Sequence, residues 1–222
     1  MNFLNIYDLS QPIYHQCPVW PDYTPPVILR EYNSSIHGFN AETITMNTHT
    51  GTHIDVPFHF FNDNKTVDQV PIETFAGLSL FLDFRNLTPG EAITAKHLNK
   101  YKNILKNIEI PIIVTGWCKK RDLTKEYLFN WPYLDKTGAE FLLSFVDIKG
   151  VGIDTLSIGG WGSPEKGRPP HEILLGAGKF IVEELNVPEG LIDNKPYLFS
   201  CFPIYLKNCG GAWVRAVAYE VG

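Results

Sequence analysis

The segment His49-Thr50-Gly51-Thr52-His53-Ile54-Asp55-Val56-Pro57-Phe58-His59-Phe60 gathers three of the chain's seven histidines into one short run. Read as a helix, it would place His49 and His53 on a shared face, as in helical zinc proteases. The glutamate of that motif is missing, however, and Gly51, Pro57 and the threonines oppose helix. Read as an extended strand, it puts His49, Gly51, His53, Asp55, Pro57 and His59 on one side and Ile54, Val56, Phe58 and Phe60 on the other. One side then carries chemistry and the other core. Two imidazoles and a carboxylate leave coordination positions open for water and substrate, which is the ligand count of a catalytic metal site. His49, His53 and Asp55 are therefore the candidate metal ligands. Gly51, lacking a side chain where the imidazoles converge, is expected to let backbone and metal approach closely. His59 lies on the same side beyond the proline, within reach of a metal-bound water, and is the candidate general acid/base. A lone strand histidine is ordinarily a hydrogen-bonded or surface residue. Three of them with an aspartate, opposite an unbroken apolar face, would be a costly burial unless a metal satisfied them.

Around this segment, strand-like runs recur at Ala41 to Met46, Ser79 to Phe84, Ile110 to Thr115, Gly150 to Ile153, Phe180 to Glu183, Tyr197 to Cys201 and Trp213 to Tyr219. Helical candidates are fewer: Thr94 to Leu105 with a Thr94 cap, Thr137 to Ile148, and a short one from Pro170 to Leu175 opened by proline. The mixture predicts an α/β fold, a mixed β-sheet core with few helices. With 222 residues, 44% of them hydrophobic, the chain suits one well-buried core, and residues 1–222 are expected to form a single domain. Prolines and glycines are scattered rather than gathered into a linker.

A formal charge of −5 and only 19% charged residues argue against a nucleic-acid partner. No apolar run is long enough for a membrane span and the start has no basic, apolar leader, so a soluble cytoplasmic protein is expected. Cys17, Cys118, Cys201 and Cys209 form no C-x-x-C pair and read as reduced structural thiols.

The run quoted first matches the H-x-G-T-H-x-D-x-P-x-H-F signature, and the chain is identified by it as a member of the cyclase-like metal-dependent hydrolases, typified by bacterial kynurenine formamidase and including isatin hydrolases. Pro18-Val19-Trp20-Pro21, Gly152-Ile153-Asp154-Thr155, His171-x-x-Leu174-Leu175, Val182-Glu183 and Val214-Arg215-Ala216 extend the resemblance over nearly the whole chain. It implies a swivelling β/β/α fold and a binuclear centre, with His49, His53 and Asp55 on one divalent ion and Asp55 bridging to a second held by His171 and Glu183. Zinc is favoured over manganese. It also implies His59 as proton shuttle and Trp20 as a pocket residue, although a tryptophan between prolines equally reads as packing.

The reaction implied is hydrolysis of a non-peptide C–N bond, with N-formylkynurenine from tryptophan breakdown as the first substrate and an isatin-type lactam as the second. A cyclase or lyase activity, or a noncatalytic metal-binding role, is the alternative class; retention of His59 favours catalysis. A small-molecule amide partner and a homodimer or larger homo-oligomer are expected, with no nucleic acid and no membrane.

The second metal imposes a geometric condition. In one straight helix His171 and Glu183 would lie about 18 Å apart. Gly176 and Gly178 must therefore end a helix, with Lys179 to Glu183 returning as a strand. Between Thr155 and His171 the glycine- and proline-rich stretch Gly159 to Pro170 is a near miss to a phosphate loop and reads as a lid or pocket wall. Its Trp161 and Arg168 are candidate contacts for an aromatic or carboxylated substrate, or simply a surface loop packed by one aromatic. His15, His37 and His97 have no partner at ligand spacing, and Cys209-Gly210-Gly211 reads as a turn.

Overall fold

The computed structural model describes residues 3–192 and 194–221. Thirteen strands are present among them: β1 (Phe3–Asp8), β2 (Val27–Tyr32), β3 (Ala41–Thr45), β4 (His53–Asp55), β5 (Ala76–Asp83), β6 (Ala92–Ile93), β7 (Ile110–Val114), β8 (Tyr133–Leu134), β9 (Gly150–Ile153), β10 (Phe180–Glu183), β11 (Tyr197–Ser200), β12 (Gly211–Trp213) and β13 (Val217–Val221). Five helices accompany them: α1 (Ser34–His37), α2 (Ala95–Leu98), α3 (Lys125–Phe129), α4 (Lys136–Leu143) and α5 (Pro164–Gly176).

Nine strands form one mixed sheet in the order β1-β13-β11-β5-β7-β9-β10-β4-β12. The central strands β5, β7, β9 and β10 run parallel, and the flanking pairs are antiparallel. The connection from β12 to β13 shows that this sheet is rolled. Trp213 lies in the last strand of that order and Val217 in the second, seven strands away, which in a flat sheet would separate them by about 34 Å. Four residues of chain span at most about 14 Å, so the two edges must curl toward each other.

Alternation divides the buried side chains between the two faces. Ile54, Phe81, Ile110, Ile112, Val114, Phe180, Val182 and Phe199 fill the inside of the roll. Leu80, Leu82, Ile113, Val151, Ile153 and Ile181 face outward onto Leu98, Ala139, Leu142, Leu174 and Leu175 of α2, α4 and α5. The mixed-sheet α/β expectation is met. No helix of the described residues is long and apolar enough to cross a membrane.

Several local expectations are corrected. The strand expected from Trp213 to Tyr219 is two strands, because Val214 leaves the ladder to bond Thr52 and Ala216 bonds Leu9. Thr94 to Leu105 forms only the short α2 followed by single 3₁₀ turns. There the Thr94–His97 capping box fixes the start, and the Tyr101 hydroxyl ties the chain to the Asp83 backbone. Four strands went unrecognised: β1, the exposed ribbon strand β2, and the two-residue strands β6 and β8, which pair with each other. The ribbon β2–β3 stands apart from the main sheet.

Candidate metal centre

The His49 to Phe60 segment is not one extended strand. Only His53–Asp55 joins the sheet, paired with β10 on one side and β12 on the other. A turn precedes it and a 3₁₀ turn, Pro57–His59, follows, since Pro57 has no amide hydrogen for a ladder. Gly51 adopts φ +64°, and a Cβ there would meet the Ile13 side chain at 2.9 Å. Its role is thus the left-handed turn rather than room for a metal. The turn brings His49 back so that its Nδ1 lies 2.6 Å from Asp55 Oδ1, and the 3₁₀ turn swings His59 to a ring-to-ring distance of 4.0 Å from His49. Room for these rings comes instead from Gly210 and Gly211. A Cβ on Gly210 would touch the His59 backbone, and one on Gly211 would lie 2.5 Å from His49 Cε1 and 2.8 Å from the Ile54 carbonyl. Reading that pair as only a turn missed this function.

Sheet register supplies the other half of the centre. Glu183 is the cross-strand neighbour of His53, and its Oε2 lies 3.5 Å from His53 Nε2. Its Oε1 accepts from the Ile158 amide (2.7 Å) and the Ser157 hydroxyl (3.2 Å). α5 ends at Gly176 and Gly178 takes φ +73°, so the chain returns directly into β10. The geometric condition on His171 and Glu183 is met: His171 Nε2 is 3.3 Å from Glu183 Oε1 and 3.9 Å from Asp55 Oδ2.

α5 begins at Pro164, not Pro170, so the second half of the expected Gly159 to Pro170 loop is helix. Pro169 and Pro170 cannot donate to the carbonyls one turn back. One of those carbonyls, that of Lys166, accepts the Gly160 amide at 3.0 Å and fastens the remaining loop to the helix.

Electrostatics sharpen the roles. Burial opposes charge on His53, but the nearby Asp55 and Glu183 carboxylates outweigh it and push its pKa up to about 9. His171 is likewise disfavoured by burial yet raised on balance by Glu183 and Asp55. Burial would raise Asp55, but the surrounding histidines hold it well below the usual carboxylate range. His59 is pulled down to about 3 by burial and by repulsion from His49, His171 and His53, against the attraction of Asp55. Its ring is therefore uncharged near pH 7.

The donor set fits divalent ions. His53 Nδ1 is held by the Gly51 carbonyl and His171 Nδ1 by the Gly167 carbonyl, each at 2.8 Å, so both Nε2 atoms point at the carboxylates. His53 Nε2 is fully buried with no hydrogen-bond partner among the described residues. An orphaned imidazole nitrogen aimed between two buried carboxylates is the arrangement a metal satisfies. Two groups have donor atoms within 4.8 Å of one another, His49–Asp55–His59 and His53–Asp55–Glu183; His59, expected as the acid/base, thus also stands at ligand distance, and His171 joins through Glu183.

The centre opens into a cleft of about 710 Å³. Trp20 and Trp161 line it and pack edge-on at 4.9 Å, Trp20 further touching Trp131 and Trp161 touching Phe129. Arg168 also reaches the cleft, but it is exposed, paired with Glu172 at 2.7 Å, and lies over the Phe60 ring. Phe60 does not join Ile54 and Val56 inside the roll as expected: it packs against the outer core, stacks on His171 at 4.8 Å and forms a cleft wall. Sequence reading also missed Tyr23 and Ser157. The position of Ser157, just past the carboxyl end of the buried parallel strand β9, is the signal that could have found it. His15, His37 and His97 serve local backbone bonds.

Comparison with known proteins places these features in context. Residues 7–159 match the model of the Cyclase family, described as "Putative cyclase". Kynurenine formamidase of Geobacillus thermodenitrificans is 32% identical over 225 residues, covering 97% of each chain. Isatin hydrolase A from Labrenzia aggregata, solved bound to benzyl benzoate, superposes with a TM-score of 0.85 at 22% identity, over 98% of this chain and 94% of that one. A "predicted metal-dependent hydrolase" from Bacillus stearothermophilus gives a TM-score of 0.77 at 23% identity, covering 98% of both. The two solved structures speak to the fold.

Proposed function

The chain belongs to the cyclase family, and from that premise we propose that it is a metal-dependent amidohydrolase of non-peptide C–N bonds, an arylformamidase acting on N-formylkynurenine. The observation that carries this reading is that His49, His53, His171 and Glu183 line an aromatic-walled cleft around the buried Asp55, with His59 beside them. His49, His53 and Asp55 would hold one divalent ion, and Asp55, His171 and Glu183 a second. Zinc is preferred to manganese, although imidazole and carboxylate ligands suit both.

Ions bound there supply an acidified water and polarise the substrate carbonyl. The protein's own residues do the rest. Trp20 and Trp161 offer edges and faces to an aryl ring, fixing the amide over the carboxylates. His59, beside His49 at the mouth of the centre, accepts the attacking water's proton at an imidazole nitrogen and returns it to the departing nitrogen. The amine then leaves neutral. Asp55, held anionic by the histidines, and Glu183, anchored by the Ile158 amide, stay fixed while this occurs.

The test is to strip the protein of metal, reconstitute it with zinc or manganese, and follow kynurenine release from N-formylkynurenine with isatin in parallel. Metal-dependent turnover of the formamide establishes the reading. Turnover of isatin alone would reassign the cleft to a lactam, and tight zinc binding without turnover of either would overturn the formamidase assignment. We also read the chain as a homodimer: the ribbon β2–β3 and its connecting α1 expose Leu29, Ile36, Phe39 and Ile44.

A further inference from the structure

Glu184 follows Glu183 directly and takes no part in the chemistry, yet it is a carboxylate only 3% exposed. Its backbone has φ +52°, a left-handed conformation that a long L side chain keeps only where its surroundings over-determine it. The surroundings do so from four directions. Its amide donates to the Thr155 carbonyl at 2.9 Å. Its carbonyl accepts from the Thr52 hydroxyl at 2.7 Å, and that hydroxyl in turn accepts the Gln11 amide. Its carboxylate accepts from the Tyr127 hydroxyl at 2.9 Å and from Arg121 Nε at 3.5 Å. Arg121 is itself buried and donates through Nη1 to the Pro12 carbonyl.

The left-handed residue has a visible effect on the strand. In a regular strand residues 183 and 185 would share a face. Here Leu185 packs in the same core as Val182, inside the roll, while Glu183 faces the histidines. The parity reverses at Glu184. Moreover Thr52 precedes His53, and Glu184 follows Glu183, so the hydroxyl-to-carbonyl bond clamps the two strands immediately beyond the His53–Glu183 pair.

We propose that Glu184 is a positioning residue for the metal centre: its carboxylate, gripped by Tyr127 and Arg121, fixes the turn that aims Glu183 at His53 and His171, and its carbonyl seats Thr52 so that His53 keeps its place opposite. This rests on the reading of His53 and Glu183 as metal ligands. The grip acts at a distance, through the backbone, and touches neither substrate nor metal.

The test uses metal-stripped full-length protein, with zinc alone titrated against a chromophoric chelator and cobalt(II) used for its absorption spectrum. The variants are Tyr127→Phe, which removes one hydroxyl, Glu184→Gln, which keeps an acceptor but not the charge, and Glu184→Gly, which keeps the left-handed turn without the grip. The zinc dissociation constant should rise in that order, by about tenfold or more in Glu184→Gly. The cobalt spectrum should change with it, and circular dichroism should stay native. Folded variants that bind zinc as the wild type does, with an unchanged cobalt spectrum, would reduce Glu184 to a buried structural ion pair and overturn the proposal. If the Glu184 variants do not fold, Tyr127→Phe decides by the same two readouts. Wild-type protein that binds no zinc would instead overturn the metal reading, and the proposal with it.

Discussion

Zinc binding should expel a proton from His53, and the size of the effect follows from its surroundings. In the metal-free protein Asp55 and Glu183 push the imidazole's pKa up to about 9, so at pH 7 its Nε2 carries a proton. A metal ligand must be the neutral ring, so the ion displaces that proton. Two pH units below the pKa, the competition weakens zinc binding about 100-fold, or about 2.7 kcal/mol. The logarithm of the binding constant should therefore climb by at least one per pH unit between about pH 6 and 8, then flatten near pH 9. His171, raised by the same carboxylates, adds to the slope. His59 does not, because its pKa lies near 3 and it is already unprotonated. Calorimetric titration in buffers of different ionisation enthalpy counts the protons released, and chelator competition at several pH values measures the slope. An affinity that stays flat from pH 6.5 to 8.5, with no proton released, would show that the His53 nitrogen is not where zinc binds.

Three further outcomes are expected. His59→Ala should lower kcat by about 10²- to 10⁴-fold while bound metal, measured by elemental analysis, stays at the wild-type level; loss of metal would make His59 a ligand instead. Gly211→Ala drives a methyl into the His49 ring and the Ile54 carbonyl. Since backbone cannot yield, this should cost about 1–3 kcal/mol in a thermal melt and weaken zinc binding, whereas unchanged affinity would free His49 from the centre. Light scattering should give a mass of two chains, falling toward one when Leu29 and Ile44 on the ribbon are both replaced by lysine; a single-chain mass for the wild type would remove the dimer.

Much of the centre was legible because ligand chemistry and spacing are local. His49, His53, Asp55 and His59 stand close in the chain, and Gly176 and Gly178 announced the reversal that lets His171 meet Glu183. What stayed hidden depended on distant chain. The length of β4 is set by its two partners and not by its own alternation, so an extended strand was expected where a turn, three strand residues and a 3₁₀ turn occur. Phe60 left the expected core face for the same reason. Gly210 and Gly211 read as an ordinary turn because the rings they admit come from residues 49 and 59. Pro169 and Pro170 argued for a loop, yet a helix tolerates them where another amide takes over a carbonyl they leave free.

The pairing of His53 directly across from Glu183 carries a consequence for how the molecule is made. A slip of one residue between β4 and β10 would set Ile54 or Val182 where a ligand belongs and turn the carboxylates toward the greasy interior. Such a misregistered chain can close its backbone bonds but cannot chelate. If these residues hold the proposed ion, only the correctly threaded sheet captures it, and zinc present during refolding should raise the yield of correctly paired molecules.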